Sequence, residues 1–262
     1  MALQRGGLPW NVSLWTRREE SLPAVSAALP GCRLSCDLKK AVEGADIVVL
    51  CTSPHAIENS GGVLADFISA STPVTDAGSV KARIVAALGK SLGGRFIGAH
   101  PMAGSEQSGI AAARADLFDG APCILTPTPE SDPQALDEVR RFWKEAGCRV
   151  CEMSPATHDA AVARISHLPH AVAAALVRAA LSKNPDVAAL AGSGFRDTTR
   201  VAIGPEALWR EIFLDNREEL ITAISDLQVH VGELKNALAH GDAESIEAFL
   251  REARTLRSRE AE

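Results

Sequence analysis

The spacing of hydrophobic and polar positions changes about three fifths of the way along the chain. Up to about residue 153, short β-branched runs alternate with helical stretches. The pattern predicts strands over 12–15, 45–51, 73–76, 95–99, 123–126 and 149–153. The run over 45–51 is almost wholly apolar, as a strand covered on both faces must be. Between the strands, helices are predicted over 21–29, 37–43 and 132–146, one opening at 77–81, and a helical piece over 111–117. Strands that alternate with helices in this way specify a parallel, doubly wound α/β sheet of the Rossmann-like kind.

Beyond about Ser154 the strands stop. Residues 158–182 read as one long helix, interrupted only by Pro169. A loop, AGSGFRDTTRVAIGP, follows, and then a long helix over 206–240. In it Phe213, Leu220, Leu227 and Leu234 recur every seven residues, with Ile224, Val231 and Leu238 on the adjoining seam. Such a stripe calls for another helix against it, either within the chain or across a homodimer interface. The charged tail RTLRSREAE is expected to fray. The expected organisation is a dinucleotide-binding domain over 1–153 and an all-α substrate and dimerisation domain over 154–262.

Composition narrows the function classes without choosing among them. The 262 residues are 46% hydrophobic and 23% charged, the balance of a soluble globular protein. A net charge of −6 gives no basic surface for nucleic acid or an anionic membrane. The sequence has no apolar run near the ~20 residues of a membrane span, and MALQRGGLPW lacks the apolar core of a secretory signal. Cys32, Cys36, Cys51, Cys123, Cys148 and Cys151 are scattered through apolar runs, as reduced thiols of a cytoplasmic protein would be. Cys148 and Cys151 have C-x-x-C spacing, but no second pair completes a metal site, and no metal is expected.

A domain of this kind normally opens with a strand, a G-x-G-x-x-G turn and a helix that receives the pyrophosphate. Neither the strand nor the fingerprint precedes Val12, and Gly6-Gly7 follows a helix-like ALQR. The expectation is a chain that starts within the first helix, roughly two dozen residues into the usual unit. The tip of the strand over 12–15 reads Trp15-Thr16-Arg17-Arg18, with no acid for the ribose hydroxyls. Arginine there suits a 2′-phosphate, which favours NADP over NAD.

Four stretches gather polar residues at strand ends or on helix faces. In IGAHPMAGSEQSG, an apolar run stops at His100-Pro101, before a small-residue loop with one acid, Glu106. An imidazole there can take a proton from a hydroxyl as hydride leaves the same carbon, or it can simply be a structural hydrogen-bonder. In DAGSVK, Ser79 stands where a hydroxyl would cap a helix, or would orient the histidine and reach a nicotinamide. In ISHLPHAVAAAL, His167 and His170 share a helical face. They could contact an anionic substrate or mark a kink at Pro169. In GFRDTTR, Arg196 and Arg200 are four apart, either a receptor for carboxylates or an exposed charged turn, with Trp209 close behind.

In this order, DAGSVK, GAHPMAGSEQSG, ARADLFDG, SHLPH and GFRDTTR resemble the prephenate and arogenate dehydrogenases of tyrosine biosynthesis. The resemblance extends from Leu3 to about Asn216, and the His-Pro motif is its most specific part. It implies that His100 hydrogen-bonds the substrate's ring hydroxyl and accepts its proton, with Ser79 beside it and the nicotinamide. It implies Arg200 on a substrate carboxylate, and Arg196, His167, His170 and Trp209 around the pocket. It also implies a cofactor held by Thr16, Arg17, Thr52, Ser53, Pro54 and Ser79. Where Thr16 stands the family more often has aspartate, which again points to NADP, and where Arg196 stands it more often has lysine. The implied activity is oxidative decarboxylation of prephenate to 4-hydroxyphenylpyruvate. The alternatives are arogenate as substrate, or a chain whose incomplete cofactor site leaves only a helical dimer.

Overall fold

A computed structural model describes residues 1–5, 10–104 and 109–258. Gly6, Gly7 and Glu106, singled out above, lie outside the described residues. The elements are, in order, α1 (Ala2–Arg5), β1 (Ser13–Trp15), α2 (Leu22–Ala28), β2 (Arg33–Ser35), α3 (Leu38–Val42), β3 (Val48–Leu50), α4 (Pro54–Glu58) and α5 (Gly61–Ala65). Then come β4 (Val74–Asp76), α6 (Ala82–Leu92), β5 (Phe96–Pro101), β6 (Pro122–Thr126), α7 (Pro133–Glu145) and β7 (Arg149–Glu152). The remainder is helical: α8 (Pro155–Val162), α9 (Leu168–Leu181), α10 (Ser193–Thr199), α11 (Glu206–Asp215), α12 (Arg217–His240) and α13 (Ala243–Ser258). The chain packs as two compact units, residues 1–216 and 217–262.

In the first unit, β1 and β2 form a parallel pair and β3-β4-β5-β6-β7 form a five-stranded sheet. The expected doubly wound α/β architecture is present, followed by helices. One pairing departs from an all-parallel sheet, because β6 runs antiparallel to β5, setting Ala99 opposite Leu125 and His100 opposite Ile124. The two faces of the sheet are sorted by the two-residue alternation of a strand. Phe96 of β5 joins Val48, Ile57, Leu64, Val74, Ile84 and Leu88 in one core, under α4–α6. Ile97 and Ala99 belong to the opposite core, with Leu125, Val139, Phe142 and Trp143 of β6 and α7. The same alternation puts Gly98 and His100 on the Phe96 face, towards α6. A Cβ on Gly98 would stand 2.5 Å from Thr126 Oγ1 and 2.8 Å from Val85 Cγ2, so only glycine lets α6 approach β5 this closely.

Several local expectations are corrected. The strand carrying His100 does not stop at residue 99; it continues through Pro101, because β6 supplies partners for both His100 and Pro101. The helix predicted to open over 77–81 begins at Ala82. Ile110–Ala112 is a single 3₁₀ turn in place of a helical piece over 111–117. The supposed loop after α9 contains α10 and a further 3₁₀ turn, Arg200–Ile203. The long helix over 206–240 is two helices, broken at Asn216, whose backbone lies at φ −114° and ψ 30°. Phe213 therefore does not share a helix with Leu220. The tail as far as Ser258 belongs to α13, which packs against α12 and gives that helix a partner within its own unit.

The helical stretch Pro155–Leu181 is, contrary to expectation, long and apolar enough to cross a membrane by length and composition alone, with mean hydropathy 1.3 over its most apolar window. Its polar residues argue for a core helix. His158, Asp159, His167 and His170 are all buried on it, and α8 packs against α6 and β6. Pro169 is not where the regular helix yields. A five-residue π-helical turn, Ala163–His167, precedes it, and Pro169, which has no N–H to give the ladder, follows at the start of α9.

Candidate active site

The site is organised by the segment between β4 and α6. Asp76, the last residue of β4, is fully buried, and so is Lys81. Lys81 Nζ donates to Asp76 Oδ2 and to the Ala99 carbonyl, the latter at 2.8 Å. Asp76 in turn accepts from Ala99 N at 2.9 Å and Gly78 N at 2.9 Å. Both backbone groups of Ala99 are thus held by one buried ion pair, immediately before His100. Burial pulls the Lys81 ammonium below its ordinary range, against the opposing pull of Asp76 and Asp159.

Ser79 does not cap α6. The residue at the cap is Lys81, whose side chain makes no capping bond. The first amides of the helix are taken by a carboxylate from elsewhere in the chain. Lys81 N donates to Asp159 Oδ1 at 2.8 Å and Ala82 N donates to Asp159 Oδ2 at 2.9 Å. Asp159 also meets its neighbour, with His158 Nδ1 2.7 Å from Oδ1. Burial alone would raise the Asp159 carboxyl, but the hydrogen bonds from His158, Ala82 and Lys81 outweigh it and hold the group below its usual value.

His158, fully buried, reaches with its other nitrogen to the catalytic candidate. Its Nε2 lies 2.8 Å from His100 Nδ1. His100 is 8% exposed. Burial, and then the neighbouring His158, Lys81 and His167, push its imidazole well below the ordinary histidine value. His100 is therefore a neutral base at physiological pH in this environment.

His167, in the π-helical turn, has its Nδ1 3.2 Å from Asn216 Nδ2, and Asn216 also donates to the Asp159 carbonyl at 2.8 Å. Its Nε2 is buried without a hydrogen bond of ordinary geometry among the described residues, although the Ser79 backbone lies beside the ring. His170 Nδ1 is likewise buried and unpaired among the described residues. The His170 ring stacks on Trp209 with centroids 3.5 Å apart, and Trp209 meets Phe213 edge-on. Gly204 closes over this stack, since a Cβ there would stand 2.6 Å from Trp209 Nε1.

The His167 imidazole is pushed down to about 4, first by burial and then by His158 and His170, against Asp159 and the Ser79 backbone. A histidine whose folded value lies below its unfolded one costs stability as pH falls from the unfolded value towards the folded one. Stability should therefore drop between pH 6.5 and about 4, with His167 accounting for about 3 kcal/mol of the loss at the acid end. Urea unfolding across that range, compared with a His167→Gln variant, should show the variant losing less. Identical acid limbs would remove His167 as a contributor.

Arg196 and Arg200 are exposed, on α10 and on the turn that follows it, and α10 packs on α9, which carries His170. Thr16, Arg17, Thr52 and Ser53 line a separate cleft of about 1600 Å³ between the edges of β1 and β3. Pro54 begins α4 directly behind them, and Ser79 is not part of that lining. The cleft runs along the whole of both strands, from Trp10 and Ala45 to Arg18 and Ser53, and only its end at Thr16, Arg17, Thr52 and Ser53 lies at the carboxyl ends, where dinucleotides bind in such sheets. Its exposed guanidinium and hydroxyl groups fit the ribose and phosphate end of a nicotinamide dinucleotide.

Comparison with known proteins identifies the family. Residues 2–152 match the family model for the prephenate dehydrogenase nucleotide-binding domain, and residues 154–252 match the one for the prephenate dehydrogenase dimerization domain. The chain belongs to the prephenate dehydrogenase family. It is 38% identical to the Bacillus subtilis prephenate dehydrogenase over 189 residues, 70% of this chain and 51% of that protein. The chain therefore spans about half the length of that relative. It is 32% identical to the Zymomonas mobilis cyclohexadienyl dehydrogenase over 252 residues, 94% of this chain and 86% of that one. Among solved structures, prephenate dehydrogenase from Aquifex aeolicus in complex with hydroxyphenyl propionate and NAD+ superposes with a TM-score of 0.88 at 32% identity, covering 98% and 92% of the two chains.

His158, Asp159, Asp76, Lys81 and Asn216 carry much of this geometry and were not assigned roles from sequence. A signal for two of them was present. Val162 and Ala163, both buried, lie four residues beyond His158 and Asp159, which puts that polar pair on the buried face of α8.

Proposed function

We propose that this protein catalyses the oxidative decarboxylation of prephenate to 4-hydroxyphenylpyruvate in tyrosine biosynthesis. The observation that carries the reading is His100, a buried neutral imidazole whose one ring nitrogen is engaged by His158 while its strand is clamped at Ala99. His100 Nε2 takes the proton of the ring hydroxyl as the hydrogen on the same carbon departs as hydride. The bound nicotinamide dinucleotide supplies the hydride acceptor. The oxidised ring then loses its carboxylate as carbon dioxide, driven by aromatisation. Arg200, with Arg196, holds a substrate carboxylate as a charge-assisted fork. His167 and His170 serve as neutral N–H donors rather than as cations, because burial holds both below the ordinary histidine value. Trp209, stacked on His170, walls the pocket. Ser79, whose backbone lies beside the His167 ring, would stand next to the reacting carbon and the nicotinamide.

The cofactor reading favours NADP, since the tip of β1 offers Arg17 and Arg18, both exposed, and no acid. A homodimer through the C-terminal helices is supported by Ile221, Val231, Leu238, Leu250 and Leu256, large apolar side chains more than half exposed on α12 and α13. The test is reduction of NADP+ or NAD+ with prephenate, followed at the nicotinamide absorbance. The expected result is turnover with prephenate and a higher kcat/KM for NADP+. Turnover with arogenate alone would transfer the reading to that substrate, and no turnover with either would overturn it.

A further inference from the structure

We propose that His158 and Asp159 are positioning residues that set the tautomer of His100 and share the positive charge it gains during turnover. The inference rests on the function proposed above. The donors and acceptors that link Asp159, His158 and His100 have one consistent assignment. Asp159 is the fixed end. Its carboxylate faces three nitrogens, the amides of Lys81 and Ala82 at 2.8 and 2.9 Å and His158 Nδ1 at 2.7 Å. The two amides are donors at the start of α6, where the helix also favours a negative charge. An ionised carboxylate only accepts, so the His158 Nδ1 carries a proton.

A neutral His158 protonated at Nδ1 presents a lone pair at Nε2, the atom 2.8 Å from His100 Nδ1. His100 must then carry its own proton on Nδ1 and leave Nε2 bare. The bare nitrogen is the atom a general base needs. With the opposite tautomer of His100, the bare Nδ1 would face His158 and the nitrogen left for substrate could only donate. His158 is fully buried, so no water competes for these bonds.

The same chain accounts for charge. When His100 Nε2 takes the hydroxyl proton, the O–H bond breaks, the N–H bond forms, and the C–H electron pair leaves with hydride for the nicotinamide. His100 becomes an imidazolium among groups of mixed sign. Lys81 and His167 face it from the cap of α6 and the π-helical turn, with Asp76 paired to Lys81. The His158–Asp159 pair gives the new cation a hydrogen-bond acceptor backed by a carboxylate, and the Nδ1 proton can move towards His158 Nε2 as the His158 Nδ1 proton moves towards Asp159.

Asp159 also caps α6, so a purely structural role must be distinguishable. Glutamine at 158 can accept from His100 through Oε1 and donate to Asp159 through Nε2, which preserves the tautomer without a proton path. Leucine can do neither. The experiment compares Asp159→Asn, His158→Gln and His158→Leu in the full chain, by kcat and KM for prephenate, thermal unfolding, and ¹⁵N NMR of the His100 ring. Wild type is expected to show the His100 proton on Nδ1. Asp159→Asn and His158→Leu should lose about 10²–10⁴-fold in kcat, as when a histidine base is left in the wrong tautomer, with KM within about threefold. His158→Gln should keep the Nδ1 proton and retain at least about tenfold more activity than His158→Leu.

A wild-type His100 protonated on Nε2 overturns the proposal without any variant, and does so whether or not prephenate is the substrate. So does a folded His158→Gln no more active than His158→Leu, or activity that merely tracks thermal stability across the set. If Asp159→Asn fails to fold, the glutamine and leucine variants decide alone.

Discussion

Replacing His100 by asparagine is expected to lower kcat for prephenate by about 10²–10⁴-fold, the range a positioned general base contributes, while substrate affinity changes by no more than a few-fold. Asparagine can still donate to His158, so the buried bond at 2.8 Å has a substitute, but it has no basic nitrogen. Direct binding measured beside turnover separates the two effects, and a variant that loses affinity while keeping kcat would remove His100 as the base. The wild-type pH profile carries a second expectation. Burial first, then His158, Lys81 and His167, hold the free imidazole well below the ordinary histidine value of 6.5. A base works in its unprotonated form, so kcat/KM should stay level as pH falls through 6.5 and decline only at more acid pH. An acid limb centred at or above 6.5 would mean that the pocket does not depress His100.

The sequence displayed the proposed base more clearly than the residues that hold it. His100 stood out because an apolar run met a His-Pro pair, and the strands around it were legible from their β-branched runs. What could not be read was set by distant pairing. His100 belongs to the strand because β6 lies antiparallel beside it, a partner 24 residues away. Ser79 looked like a cap from local spacing alone, yet the cap of α6 is Asp159, 77 residues on from Ala82. The break at Asn216 has no proline or glycine to announce it. Its side chain is spent on the Asp159 carbonyl and His167, and no heptad pattern reveals such contacts. Local signals thus singled out the candidate residues, whereas tertiary hydrogen bonds decided how they are held.

The largest expected effect on stability belongs to the buried pair behind the site. Lys81→Met should destabilise the protein by about 3–5 kcal/mol, because it leaves the fully buried Asp76 without its cation. Methionine fills much the same space along the lysine stem, so the loss comes from charge rather than from a cavity. Adding Asp76→Asn should recover part of it. The amide can still accept from Ala99 N, but it turns a donor towards Gly78 N, so recovery stays incomplete. Urea unfolding of the two variants measures both terms, and a loss below about 1 kcal/mol for Lys81→Met would show that the pair is not what holds β4 to β5. The consequence for catalysis follows from Ala99. Without Lys81 its carbonyl loses the only charged donor described for it, at 2.8 Å, and the strand end that carries His100 is held from one side only. Under conditions where Lys81→Met remains folded, kcat should therefore fall by more than KM rises, since the base is displaced while the arginines on α10 and the turn after it are untouched.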